Sequence, residues 1–247
     1  MGFSAISRNA GWSAGYRSTR TKRSGSVASA VSKAPAATGS ILKANNGRLG
    51  STPYQIKATN PIVSQGKTTT LILLDHSITS KNKNVLRLDG PHGYKGKTIP
   101  WHLNVDNKGR VPKPLKSMDH KALPKALQKV APYTSAKALS TVSKGATVVA
   151  VGVDVARIGS AYRADGNRVG KETVTTAASV AGGWAGAWAG AKVGATGGAM
   201  VGAFGGPVGA AVGGIVGGIG GAIAGSLVGS KVGEAGARAA IRHSGWR

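Results

Sequence analysis

The stretch GGIVGGIGGAIAG, residues 213–225, is more than half glycine and carries no charge. In water, glycine is about 1 kcal/mol less favourable than alanine at an interior position of a helix. A block this rich in glycine therefore has either no regular structure or an environment that favours the absence of side chains. The spacing of the glycines around this block distinguishes the two.

The glycines follow a regular step over two stretches of equal length. Seven of them recur at every fourth residue, Pro207 interrupts the series, and seven more recur with the same step. A disordered linker needs no such register, so the repeat predicts two matched helices joined by a tight turn, a glycine-zipper helical hairpin. The predicted helix-packing residues are Gly182, Gly186, Gly190, Gly194, Gly198, Gly202, Gly206, Gly209, Gly213, Gly217, Gly221, Gly225, Gly229 and Gly233.

A four-residue spacing of glycines has a direct consequence for helix packing. Residues four apart lie one above another on a helix, so these glycines form a groove without side chains. Membrane helices use such small-residue grooves for close contact, and in lipid the backbone forms a helix because an unsatisfied polar group is very costly. Each four-residue step also drifts by about 40° around the helix axis, so one straight partner follows only two or three glycines. The repeat therefore predicts a membrane-inserting hairpin that forms a homo-oligomer or a compact bundle.

Lys192 is the only charged residue between Glu172 and Lys231. A lysine at the centre of a bilayer costs about 3 kcal/mol unless it faces water. If the hairpin spans a membrane, we expect Lys192 to line a water-filled pore. The lysine and the mild hydropathy of glycine and alanine favour a chain that is soluble first and inserts later.

The charge of the chain indicates a polyanionic partner. Its 247 residues carry a net charge of +25, from 33 Lys and Arg against 8 Asp and Glu. Residues 1–50 hold basic but no acidic residues and show little periodicity, which predicts a disordered basic arm. We expect this arm to bind anionic membrane lipid rather than nucleic acid, because stacking aromatic residues are sparse. The absence of cysteine excludes disulfides and thiolate chemistry, and we expect no cofactor.

Three segments with a β pattern lie between residues 51 and 111. They are TTTLILLDHSI at 68–78, NVLRLDG at 84–90 and IPWHLNVDNKG at 99–109. We predict an α+β chain: a disordered basic N-terminal arm over 1–50, a small β unit over 51–111, a Pro- and Lys-rich linker over 112–133, and a C-terminal helical region over 134–247 that ends in the glycine-zipper hairpin.

The β unit contains the candidates for enzyme chemistry. His92 and His102, with Asp89 and Asp106, supply two imidazoles and carboxylates on neighbouring strands, a combination that can hold a divalent ion. A metal-dependent nuclease is therefore the alternative function. His102 and Asp106 would otherwise lie with Asn104 on the solvated face of a half-buried strand. Since the sequence shows neither a Ser-His-Asp spacing nor paired glutamates, we expect a protein that is not an enzyme.

Two segments carry a resemblance to a known class of protein. Residues 154–199 and 213–234 resemble the glycine-zipper tails of bacterial polymorphic-toxin and secreted-effector proteins, and RLDGPHGYKGKTIPWHLNVD, residues 87–106, resembles the LDxPH…HxN segment that often precedes such tails. The resemblance covers about residues 85–236. It implies an antagonistic or host-directed effector whose tail inserts into or permeabilises a target membrane, with an immunity protein as a partner. A self-associating scaffold without enzymatic activity is the remaining alternative.

The N-terminal sequence bears on location. Residues 1–23 lack the apolar segment of a secretory signal. We therefore expect a membrane-associated effector that is exported without a signal peptide. Mitochondrial targeting is the alternative, because the arm is rich in Arg and Ser and free of acidic residues.

Overall fold

The computed structural model describes residues 11–64 and 67–245, and it confirms the predicted α+β class. The helices are α1 (Gly11–Ala44), α2 (Lys113–Lys116), α3 (Lys125–Val130), α4 (Ala136–Ala164), α5 (Lys171–Gly202) and α6 (Gly206–His243). The strands are β1 (Tyr54–Ser64), β2 (Lys67–Asp75), β3 (Asn84–Asp89), β4 (His92–Tyr94), β5 (Lys97–Ile99) and β6 (His102–Val105).

The strands form an antiparallel sheet in the order β1-β2-β3-β6, and β4 and β5 pair as a separate hairpin. The three predicted segments correspond to β2, β3 and β6. Sequence patterning missed β1, whose pairing with β2 shifts register between Ala58 and Ile62, around Pro61. Proline lacks the N–H that a central strand needs, so Pro61 lies in an edge strand at an irregularity.

The segment predicted as a linker, residues 112–133, differs from that expectation because it packs on the sheet. Leu123 and Ala131 are buried in one cluster with Leu88 of β3. The segment also forms an isolated backbone bridge to β6 between His102 and Ala122. Its apolar residues are too few to show a periodic pattern, yet they cover one side of the sheet.

The structure describes a helix within the N-terminal arm. Residues 1–10 lie outside the described residues, and Gly11–Ala44 forms α1. Four small or aliphatic residues of α1, Ala30, Ala34, Ala37 and Ile41, are buried. Their spacings of four, three and four residues place them on one helical face, which packs against the C-terminal hairpin.

Helices α5 and α6 form the antiparallel hairpin that the glycine repeat predicted. The chain reverses through a short 3-10 turn, Ala203–Gly205. Gly206 follows at φ +75°, a conformation that strongly favours glycine, and Pro207 lies in the first turn of α6, where its missing N–H has no effect on the helix. Helix α4 packs on α1 and α5, so the hairpin is covered on one side by α1 and α4.

Candidate functional site

The two helices of the hairpin meet through their glycines. Six reciprocal pairs face each other across the seam, and a Cβ atom on any of these residues would lie closer than 3.0 Å to the carbonyl oxygen of its partner. The pairs are Gly182–Gly229, Gly186–Gly225, Gly190–Gly221, Gly194–Gly217, Gly198–Gly213 and Gly202–Gly209. Of the two remaining predicted glycines, Gly233 lies against Ala178 and Gly206 forms the turn. No other residue type fits the twelve paired positions without separating the helices.

The length of this seam corrects the expectation that one partner follows only two or three glycines. The paired positions run from Gly182 to Gly202 on α5 without a gap. A repeat of four residues exceeds the 3.6 residues of a helical turn, so contact at every repeat requires the helices to wind around each other. A single intramolecular partner therefore covers all the glycines of the seam.

A second stripe of small residues runs beside the seam and is buried under α1 and its connection to the sheet. On α5 it consists of Ser179, Gly183, Ala187, Ala191, Ala195 and Ala199, and on α6 of Ala210, Gly214, Gly218, Ala222, Ser226 and Ser230. These residues also recur at every fourth position. We call the surface they form the α1 groove.

The outer face of the hairpin, away from α1, is apolar and exposed. Its large exposed side chains are Trp188, Val193, Met200, Val201, Phe204, Val212, Ile215, Val216, Val228 and Val232. Phe204, at the turn, is 95 % exposed. The segment Lys171–His243 contains a helical stretch long and apolar enough to cross a membrane, and only 22 % of that stretch is buried. Because the chain reverses at Gly206, this segment is a hairpin and not one continuous rod.

Lys192 has an exposed side chain on α5 and lies outside the glycine seam. It precedes Gly206 by fourteen residues, about 21 Å along a helix. On α6, by contrast, no charge occurs between Gly206 and Ser230, a length of about 37 Å. The hairpin therefore presents one uncharged helix of bilayer length beside a helix with a lysine part of the way along.

A buried ion pair joins α1, α4 and the hairpin. The Nζ atom of Lys33 lies 3.0 Å from Oδ2 of Asp154, and both side chains are almost fully buried. Arg157 and the hydroxyl of Ser29 contact the other oxygen of the same carboxylate, and the indole N–H of Trp184 donates to Oδ2 at 2.9 Å. Burial lowers the pKa of Lys33, although the hydrogen bond and charge of Asp154 act in the opposite direction. No local sequence pattern marks any of these residues.

The histidines predicted as candidates come together in the β unit. The rings of His92 and His102 have centroids 4.8 Å apart, and the ring of His120 stacks on His102 at 5.8 Å. His102 is fully buried and His92 nearly so, and Asn104 is also buried. The alternative of a solvated strand face is therefore wrong for His102 and Asn104. His120 escaped the sequence analysis because the backbone bridge that brings its segment to β6 leaves no local pattern.

Hydrogen bonds fix the tautomer of the two buried imidazoles. Nδ1 of His92 lies 3.0 Å from the carbonyl oxygen of Gly90, and Nδ1 of His102 lies 2.8 Å from that of Pro100. A carbonyl oxygen only accepts, so each Nδ1 donates, and in the neutral imidazole Nε2 then carries the lone pair. Both Nε2 atoms are buried without a partner. Burial lowers the pKa of His102, and the neighbouring His92 adds to that effect, while the hydrogen bond that His102 donates to the carbonyl of Pro100 acts in the opposite direction.

The two candidate carboxylates have different environments. Asp89 is opposite His102 in the sheet register, and it accepts hydrogen bonds from Thr69 and Asn104. Asp106 forms an ion pair with Arg87 at 2.7 Å. Arg87 also lies 3.4 Å from Asp89, so the same guanidinium engages both carboxylates, and Asp89 is the one that lies opposite His102 in the sheet. Within residues 11–64 and 67–245, no three His, Cys, Asp or Glu side chains form a group that could hold a metal ion.

Comparison with known proteins found no family model, curated protein or solved structure that matches this chain. We therefore infer function from the geometry of the hairpin and of the histidine pair. The toxin-like class suggested by the resemblance stays a prediction.

Proposed function

We propose that this protein is a toxin-like, non-enzymatic effector whose glycine-zipper hairpin inserts into and permeabilises a target membrane. The observation that carries the proposal is the outer face of the hairpin, where large apolar side chains are exposed along a segment, residues 193–230, without any charge. Soluble monomers rarely expose large contiguous apolar patches without a binding role.

The glycine seam supports the same function. In lipid, helices gain no hydrophobic energy from meeting each other, so close backbone packing must hold them together. The six glycine pairs provide that packing within one chain. Each helix also satisfies its own backbone hydrogen bonds, as a membrane requires. The hairpin would therefore enter the bilayer as a preformed pair of helices.

The basic charge of the chain supports attraction to an anionic membrane. A basic residue near such a surface contributes about 1 kcal/mol at physiological ionic strength. With a net charge of +25, the protein has ample attraction for lipid headgroups before any insertion occurs. Membrane association, homo-oligomerisation in the bilayer and neutralisation by an immunity protein all belong to this proposal.

Dye release from anionic liposomes tests the proposal. Replacing Val201 and Val216, on the outer face, by Asp should reduce the release rate at least 10-fold, because two carboxylates would have to enter hydrocarbon. The same change at Val148 and Val155, equally exposed on α4, is the matched control and should leave release intact. Equal loss in both variants, or no release from the wild-type protein, would contradict insertion of the hairpin.

A histidine-centred nuclease is the second candidate function, and the unpartnered Nε2 atoms of His92 and His102 favour it. Imidazole nitrogens with fixed tautomers serve as metal ligands or as acid–base groups. RNA and plasmid degradation with and without EDTA would test it, using His102→Asn, which keeps a donor toward Pro100 but lacks Nε2. His243→Asn, at an exposed position near the end of α6, is the control. Cleavage that only His102→Asn abolishes would favour the nuclease.

A further inference from the structure

We infer that helix α1 is an autoinhibitory strap: it occupies the α1 groove, holds the hairpin in a closed form, and must leave before the hairpin enters a membrane. This inference depends on the membrane-inserting function proposed above. In the closed form the hairpin is inactive. After release, the hairpin uses the α1 groove to associate with a second copy.

Helix α1 follows the groove along much of its length. Near the open end of the hairpin, Nζ of Lys33 lies 3.1 Å from the place that a Cβ atom on Gly183 would take. Farther along, the Cγ2 methyl of Thr38 lies 2.9 Å from the Cβ position of Gly218. Beyond the helix, Leu49 packs against Gly214, close to the turn. The strap therefore runs from the open end of the hairpin toward its turn.

The region around the turn packs on the sheet through apolar side chains. Leu49 lies in a cluster with Ala199 and Ala210, and Tyr54 and Ile56 of β1 pack on that cluster. Val208, just after the turn, packs on the core of the sheet. Any movement of the turn into hydrocarbon would therefore carry the β unit with it, unless the hairpin first separates from α1 and the sheet.

The opposite end of the strap is held by charge. The ion pair of Lys33 and Asp154 lies between α1 and α4, and Trp184 of the hairpin donates to the same carboxylate. Arg157 lies 3.3 Å from Asp154 as well. With the hydroxyl of Ser29, five side chains from three helices thus form one contact. Because the charges of α1 and α4 would be costly in lipid, both helices must remain outside the bilayer.

The groove fits its own strap imperfectly. The hydroxyl oxygens of Thr38 and Ser226 are both buried in this contact without a hydrogen-bond partner. A buried polar atom without a partner destabilises the state that contains it. The two unpartnered hydroxyls therefore lower the stability of the closed form relative to the form in which α1 has been released.

The freed groove is the self-association surface of the released hairpin. Its floor is glycine, alanine and serine at every fourth residue on both helices. A second hairpin presents the same floor, so two copies contact each other through one self-complementary surface. The unpartnered hydroxyl of Ser226 lies on that floor, where a serine of the second copy can bond to it.

A reversible disulfide tests the inference. The chain has no cysteine, so an introduced pair is unique. Cysteines at Thr38 and Gly218 are within disulfide reach and would tie α1 to the hairpin. The matched control ties α1 to α4 instead: a Cβ atom on Gly39 would lie 3.5 Å from the Cβ of Ser143. Both variants are assayed for dye release and for chemical cross-linking between copies, before and after addition of a reductant.

We expect the oxidised Thr38→Cys/Gly218→Cys protein to release dye at least 10-fold more slowly than its reduced form and to form no cross-linked oligomer. The oxidised Gly39→Cys/Ser143→Cys control should match the wild type, since α1 and α4 leave the hairpin together. Equal release by the oxidised and reduced forms of the first pair would overturn the strap alone. No release from any protein, the wild type included, would overturn the proposed function and the strap with it.

A second variant tests release in the opposite direction without a disulfide. Asp154→Lys places three cations in the buried contact and removes the acceptor of the Trp184 indole on the hairpin, so it should weaken the attachment of α1 and α4 to the hairpin and raise dye release several-fold over wild type. The double variant Lys33→Glu/Asp154→Lys restores opposite charges and should return release toward the wild-type rate. If Asp154→Lys folds, as circular dichroism would show, and releases dye no faster than the wild type, the charged contact does not hold the strap.

Discussion

Gly190 and Gly221 face each other across the hairpin seam so closely that the carbonyl oxygen of each fills the space that a Cβ atom on the other would need. The contact is reciprocal and repeats in five further pairs along the two helices. A single methyl group at one of these positions forces the helices apart over more than its own turn, because the neighbouring pairs share the same axis separation.

The first prediction concerns this seam. Gly190→Ala should destabilise the folded protein by about 1–3 kcal/mol, the usual cost of overpacking a well-packed contact. Gly197→Ala is the control, since a Cβ atom there meets nothing within 4 Å. The control should be neutral or up to about 1 kcal/mol more stable, because alanine is the better helix former. Urea denaturation followed by circular dichroism measures the stability of both variants. Equal stability would show that the close glycine contact in the seam does not stabilise the fold.

The glycine repeat shows how far the sequence predicts this fold. A residue without a side chain at every fourth position gives both the helical period and the face of contact, and Pro207 marks the reversal. Nothing in that repeat tells which other segment covers the hairpin. Helix α1 uses the same small residues, but Ser, Gly, Lys and Pro35 separate them, and these residues are also typical of a disordered arm.

The histidine pair shows a different limit. Alternation along β6 places His102 on the polar side of the strand, but the sequence does not reveal that residues 112–133 fold back to bury that side. The position of His120 beside His102 depends on this long-range contact. The burial and the hydrogen-bond partners of a polar residue depend on tertiary contacts. The sequence therefore identifies the candidate histidines but does not predict their environment.

The second prediction concerns the buried ion pair. Asp154→Asn keeps an oxygen acceptor for the indole of Trp184 but leaves the ammonium of Lys33 buried without a counter-charge. Breaking one side of a buried pair costs about 3–5 kcal/mol, more than removing both charges. Lys33→Met/Asp154→Asn should therefore lose less stability than Asp154→Asn alone in urea denaturation. A double variant that is as unstable as the single one would show that Lys33 tolerates its position without Asp154.

The third prediction is a pH dependence centred on His102. Burial lowers the pKa of its imidazole, so the unfolded chain binds a proton more readily than the folded protein does. The stability linked to this group is complete above the unfolded pKa, about 6.5, and is lost as the pH falls through the lower folded pKa. His102→Asn removes the titrating group and keeps the donor toward Pro100.

The melting temperature should therefore fall less between pH 7.5 and pH 5.5 in His102→Asn than in the wild type. The exposed His243→Asn variant serves as the comparison and should retain the wild-type dependence. Carboxylates that titrate at lower pH contribute to all three proteins and cancel in the difference. If His102→Asn keeps the wild-type pH dependence, the imidazole of His102 binds protons equally well in the folded and in the unfolded protein.

The last prediction concerns Lys192. In an inserted hairpin its ammonium lies about 21 Å from the turn, roughly two-thirds of the way across a 30 Å hydrocarbon layer, where it reaches a headgroup only in part. A position on a water-filled path avoids that cost, and a ring of lysines there would repel cations and favour anions. Lys192→Glu should then reverse the sign of the reversal potential in planar-bilayer recordings under a salt gradient. Lys231→Glu, beyond the uncharged stretch, is the control and should shift it far less. If channels form and their reversal potential is the same in Lys192→Glu as in the wild type, the side chain of Lys192 does not face the lumen.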